Sequence, residues 1–162
     1  MDGKELKALI RDRRARIGII GMGYVGLPLA VEFARAGFKV DGFDLDAGKV
    51  REINAGRSYI ADVSGSEVTG FVKDGRLSAT SDFELLRKID CVIVCVPTPL
   101  RKTREPDMSY ILSATKEIAQ RVHRGMLIVL ESTTYPGTTE ELVRPALEAK
   151  GLKVGADICL AF

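Results

Sequence analysis

Residues 17–26 read IGIIGMGYVG, and their reading decides the fold. Ile17-Gly18-Ile19-Ile20 is a short apolar run. Gly21, Gly23 and Gly26 follow it in the spacing G-x-G-x-x-G. Val25, Leu27, Leu29, Ala30, Phe33 and Ala34 then give an apolar helical pattern. The stretch predicts a strand, a tight turn and a helix over 24–36, with Gly37 as its stop. Pro28 falls in or just after the first turn, where a missing N–H costs little. Each glycine has a separate reason. Gly21 permits the sharp turn, Gly23 lets a pyrophosphate approach the backbone, and Gly26 lets the helix pack close to the strand. The first helical amides lack partners within the helix and, with the helix dipole, favour an anion.

Residues 38–43, FKVDGF, read as a second strand that ends at Asp44. Asp44 stands 18 positions past Gly26, near the interval of about 20 found between such a glycine turn and its acidic partner. A carboxylate there accepts from both hydroxyls of an adenosine ribose and repels a 2′-phosphate, which favours NAD over NADP. A tight turn and a capping Asp are the plainer reading of these residues. The two strands, the helix and Asp44 together favour dinucleotide binding.

The 162 residues suffice for a domain with a sizeable core, and the 46% hydrophobic content fits a globular chain. No apolar run approaches the ~20 residues of a membrane span, and the charged N-terminus has no apolar signal core. A net charge of +2 with both signs mixed is no nucleic-acid footprint. Three cysteines without C-x-x-C spacing, two of them in one apolar run, read as reduced thiols. A cytoplasmic location fits these features. No metal cluster and no Ser-His-Asp set is visible.

The rest of the chain follows in order. Residues 4–16 have a narrow apolar stripe, Leu6, Leu9 and Ile10, among basic residues. They read as a short leading helix, residues 1–16 with its flanks, that docks beside the first strand; a basic arm is the alternative. Residues 46–54 predict a helix closed by Asn54-Ala55-Gly56, and Lys49 within it falls near the adenosine edge. Residues 66–73 predict a helix and 77–80 a strand. Ser81 or Asp82 caps a helix through Arg87. Residues 91–96, CVIVCV, are short, apolar and β-branched, as in a strand covered on both faces. Residues 100–108 form a polar loop. Asp107 or Ser109 caps a helix reaching about His123, whose ring reads as a favourable contact with the helix dipole. Residues 126–130 predict another buried strand. Thr138 or Thr139 caps a helix with Glu140 and Glu141 in its first turn, and 158–162 predict a last strand.

This alternation predicts an α/β fold over residues 17–162. It is a Rossmann-type, doubly wound parallel sheet with helices on both faces, preceded by the short N-terminal helix. Ligands on such sheets bind past the C-terminal strand ends. Three loops leave those ends, at 21–26, 97–99 and 131–137, and are expected to meet on one edge.

Five segments, GMGYVGLPLA at 21–30, FDLD at 43–46, VCVPTPL at 94–100, EPDMSY at 105–110 and LESTTYPGTTEE at 130–141, resemble the UDP-glucose/GDP-mannose dehydrogenase family. The closer likeness is to its bacterial and archaeal UDP-N-acetyl-sugar 6-dehydrogenases, of the N-acetylglucosamine or N-acetylmannosamine type. The resemblance spans residues 17–162. It implies oxidation of C6 of a UDP-sugar from alcohol to carboxylate with two NAD, and a full-length homo-oligomer. It implies that Met22, Tyr24 and Val25 line the pyrophosphate with the glycines, and that Asp44 meets the ribose with Lys49 nearby. Pro97, Thr98, Glu131 and Ser132 then face the cofactor. Thr133 helps hold a water or the substrate oxygen at the reacting carbon; a hydroxyl that serves only backbone is the plainer role. The family's glutamate is expected just past Phe162, and its nucleophilic cysteine and lysine much further on. The chain alone is therefore expected to bind NAD and to be catalytically incomplete. Another NAD-dependent Rossmann dehydrogenase domain, or a nucleotide-sensing module without chemistry, are the competing readings.

Overall fold

A computed structural model describes residues 3–100 and 106–162. Helix α1 (Gly3–Arg11) leads into strand β1 (Arg16–Ile20), α2 (Gly26–Arg35) and β2 (Lys39–Phe43). Two helices follow, α3 (Ala47–Asn54) and α4 (Gly65–Lys73), then β3 (Leu77–Thr80), a 3₁₀ turn (Phe83–Lys88) and β4 (Cys91–Val94). Next come α5 (Ser109–Arg121), β5 (Leu127–Leu130), a π-helical stretch (Thr138–Val143) that continues into α6 (Arg144–Glu148), and β6 (Cys159–Ala161). The charged centre of the loop expected at 100–108, residues 101–105, lies outside the described residues.

The strands form one sheet in the order β3-β2-β1-β4-β5-β6, and all neighbours pair in parallel. Side chains alternate across it. Ile17, Ile19, Cys91 and Ile93 join a cluster with Leu27, Ile53 and Val68 from α2, α3 and α4. Ile20, Val92 and Val94 join the opposite cluster with Leu86, Ile111, Ile118 and Leu147. Two dry cores, one under each helix layer, hold the sheet from both sides. The order reverses direction between β1 and β4. Loops leaving these two strands therefore part to opposite faces and leave a crevice between them.

Local chemistry sets the element ends. Asp46 accepts from Gly48 N–H at 2.7 Å and caps α3. Asp82, not Ser81, caps the 3₁₀ turn through Glu84 N–H at 2.9 Å. Gly37, at φ 96, stops α2 as its position predicts. The leading helix is shorter than the pattern at 4–16: it ends at Arg11, and Arg13 turns left-handed at φ 60. Leu6 is buried, so the helix docks on the core. Arg16 opens β1 and pairs through Nε with buried Asp41 Oδ2 at 2.5 Å, so it is no part of a solvated basic face. No hydroxyl caps the helix after β5. Gly137 at φ 95 precedes a π-helical turn, and Thr138 Oγ1 donates back to Tyr135 O instead. His123 lies past the last residue of α5, and its Nε2 meets Ile89 O at 3.0 Å, tying the helix end to the chain before β4. Among the described residues no helix is long and apolar enough to cross a membrane.

Candidate functional site

At the C-terminal edge of the sheet the loops enclose a cleft of about 830 Å³. Its floor is the glycine corner. Gly21 takes φ 93 and lies so close to the β4 loop that a Cβ would stand 2.7 Å from Cys95 O. A Cβ on Gly26 would stand 1.8 Å from Gly21 O, so α2 can start there only without a side chain. A Cβ on Gly23 would meet nothing within 4 Å. Its bare backbone thus faces open space, which is the shape a pyrophosphate needs. Among the described residues none accepts from the amides of Gly23, Tyr24 or Val25. They stand at the start of α2, where an anion is favoured.

Gly21, Gly23, Tyr24 and Val25 line this cleft, with Tyr24 84% exposed over it. Asp44 and Lys49 line the β2 side. Asp44 is tied in at both oxygens: Oδ2 accepts from Met22 N–H and Oδ1 from Asp46 N–H, each at 2.9 Å. Lys49 Nζ stands 3.4 Å from Asp44 Oδ2. The carboxylate is thereby fixed beside the corner. Pro97 and Thr98 line the far wall, with Glu131, Ser132 and Thr133 beside them.

Two residues expected to contact a cofactor, Met22 and Ser132, turn their side chains elsewhere, and Gly26 takes the packing role its place in the motif predicts. Met22 is fully buried, and its sulfur packs where a Cβ on Gly42 would stand, so its side chain belongs to the core. Gly26 sits beneath the corner. Ser132 lines the cleft but turns its hydroxyl to Val96 O at 2.8 Å, which staples the loop after β5 to the loop after β4. Thr133 is exposed at the cleft wall beyond this staple.

Other lining residues escaped the sequence reading. Ser81, Asp82 and Phe83 enter from the end of β3. Tyr110, Glu117 and Arg121 enter from α5. Their helical spacing of seven and four was the available signal. Arg121 Nη1 bonds Glu117 Oε2 at 2.6 Å and its guanidinium also meets Glu84, so this wall carries a paired cation. Tyr59 does not line the cleft, and its hydroxyl donates to Met22 O at 2.5 Å. Cys95 lines the cleft, but burial, and secondarily the charge of Glu131, push its thiol up to about 12. Burial likewise holds Cys91 at about 12. Neither supplies a thiolate near neutral pH.

A parallel sheet with this strand order, a glycine corner at its switch point and a carboxylate at the end of the next strand define a dinucleotide-binding domain of the dehydrogenase class. Residues 15–162 match the model of the UDP-glucose/GDP-mannose dehydrogenase family, NAD binding domain. The chain belongs to that family, and its cofactor is NAD. It is 37% identical over 150 residues to UDP-N-acetyl-D-mannosamine dehydrogenase of Pyrococcus horikoshii, which covers 90% of this chain and 35% of that protein. It is 36% identical to UDP-N-acetyl-D-glucosamine 6-dehydrogenase of Pseudomonas aeruginosa, over 88% of this chain and 33% of the relative. Among solved structures, a ternary complex of GDP-mannose dehydrogenase from Pseudomonas aeruginosa superposes with a TM-score of 0.85 at 33% identity, over 90% of this chain and 35% of that one. The chain thus spans about a third of the length of these relatives.

Proposed function

We propose that this chain is the cofactor-holding part of an enzyme that oxidises C6 of a UDP-N-acetylhexosamine from alcohol to carboxylate. The enzyme works in the cytoplasm as a homo-oligomer. NAD supplies the hydride acceptor for such an oxidation. The chain's own residues bind and orient. The amides around Gly23 receive the pyrophosphate, Asp44 accepts from the adenosine ribose, and Lys49 offsets charge beside it. Pro97, Thr98 and Glu131 face the nicotinamide half. Thr133 offers its hydroxyl to a water or to the substrate oxygen. A carboxylate product requires a second oxidation, through an aldehyde, and a covalent route for it needs a thiolate. Cys91 and Cys95 are buried with raised thiols, and exposed Cys159 does not line the cleft, so the nucleophile comes from elsewhere in the enzyme.

The observation that carries this reading is the bare Gly23 corner with Asp44 fixed beside it. Calorimetric titration with NAD and NADP tests it. NAD binds more tightly than NADP, and Asp44→Ala lowers NAD affinity and narrows the difference. Equal binding of the two cofactors by the unaltered chain removes the role given to Asp44.

A further inference from the structure

The plain role of Tyr59 is packing: its ring lies partly buried against the first core cluster, in the connection between α3 and α4. Its hydroxyl does more than packing requires. It bonds the carbonyl of Met22, the residue between the first two glycines. The same residue gives its N–H to Asp44 and its side chain to the core. Met22 is therefore held at three points.

The consequence runs through one peptide plane. All peptide bonds among the described residues are trans. In a trans peptide the C=O and the following N–H point in opposite directions. The Met22 carbonyl is held toward Tyr59, which does not line the cleft, so Gly23 N–H turns away from Tyr59, and Gly23 itself lines the cleft. A glycine left to itself rotates this peptide readily. We infer that Tyr59 is a positioning residue for the cofactor's pyrophosphate: its hydroxyl orients the Met22–Gly23 peptide so that Gly23 N–H is presented to the phosphates. The inference rests on the cofactor reading of the cleft. Burial, and then the charges of Asp44 and Asp46, push the Tyr59 hydroxyl well above its ordinary range. It therefore stays a donor at any working pH.

Tyr59→Phe removes the hydroxyl and keeps the ring. ADP-ribose and NAD are titrated calorimetrically, and adenosine by amide chemical shifts. The variant binds ADP-ribose and NAD about five- to tenfold more weakly, because Gly23 N–H must be re-oriented at the cost of part of the binding energy. Its adenosine affinity stays close to that of the unaltered chain, while its melting temperature falls by a few degrees because the Met22 carbonyl loses its partner. A merely structural tyrosine would lower all ligands together or none. In the unaltered chain, inorganic pyrophosphate moves the Gly23 amide resonance, a readout independent of whether the variant folds. Unchanged ADP-ribose binding in the variant, an equal loss for adenosine, or an unmoved Gly23 amide overturns the role of Tyr59. Failure of the unaltered chain to bind ADP-ribose overturns the cofactor reading as well.

Discussion

Gly23 and Gly26 stand three positions apart and answer to opposite constraints. Gly26 is excluded from bearing a side chain by the protein itself, since its Cβ would overlap Gly21 O at 1.8 Å. Gly23 has free space around it, so any constraint comes from a ligand. Alanine at each position separates the two. Gly26→Ala destabilises the fold by about 3 kcal/mol, because backbone and not a flexible side chain must move. Gly23→Ala changes stability by less than about 1 kcal/mol and weakens NAD binding at least tenfold. Urea unfolding and calorimetry on the same preparations check both. A Gly23→Ala chain that binds NAD normally contradicts the pyrophosphate site. The motif's spacing announced that glycines were needed here. The same spacing assigned Gly26 to packing and Gly23 to a ligand, and the contacts agree for Gly26, whose Cβ would overlap Gly21 O.

Strand β4 shows what an element adds. Its four residues are buried on both faces, as the apolar run CVIV predicts for the centre of a parallel sheet. Burial keeps Cys91 in β4 and Cys95 just past it protonated, with folded values of about 12 against 9.0 for the free thiol. The unfolded chain therefore ionises first as pH rises. The stability contributed by keeping these thiols neutral is complete below pH 9.0 and is lost as pH climbs toward about 12. The urea midpoint is expected to fall across that window, with a flatter slope in Cys95→Ala. At neutral pH a thiol reagent labels exposed Cys159 rapidly and the two buried cysteines only on unfolding. Equal labelling of all three in the native chain would contradict the packing of β4. The helix after β5 illustrates the opposite case. Thr138 and Thr139 looked like caps, yet a left-handed Gly137 and a π-helical turn replace the capped start. The preference of threonine for caps is a local tendency, and here a hydroxyl bond to Tyr135 O satisfies Thr138 instead.

For the whole molecule, reversal of strand order between β1 and β4 gathers loops from five strands around one cleft. A chain about a third as long as its relatives supplies this cofactor half and no ionised thiol within its core. On the proposed function, the present chain binds NAD but forms no NADH with UDP-N-acetylglucosamine or UDP-N-acetylmannosamine. A version carrying the remaining length of a relative forms two NADH per sugar, followed by absorbance. Steady NADH production by the present chain alone would refute this division of labour. The sequence by itself determined the parallel α/β class, the glycine corner and Asp44, because each depends on periodicity or on spacing within about thirty residues. Only the tertiary structure decided that Met22 packs inward, that Ser132 staples two loops, that Tyr59 bonds Met22 O and that the α5 face lines the cleft. Those facts depend on which distant segments the sheet brings within a few ångströms of one another, and no local pattern encodes that distance.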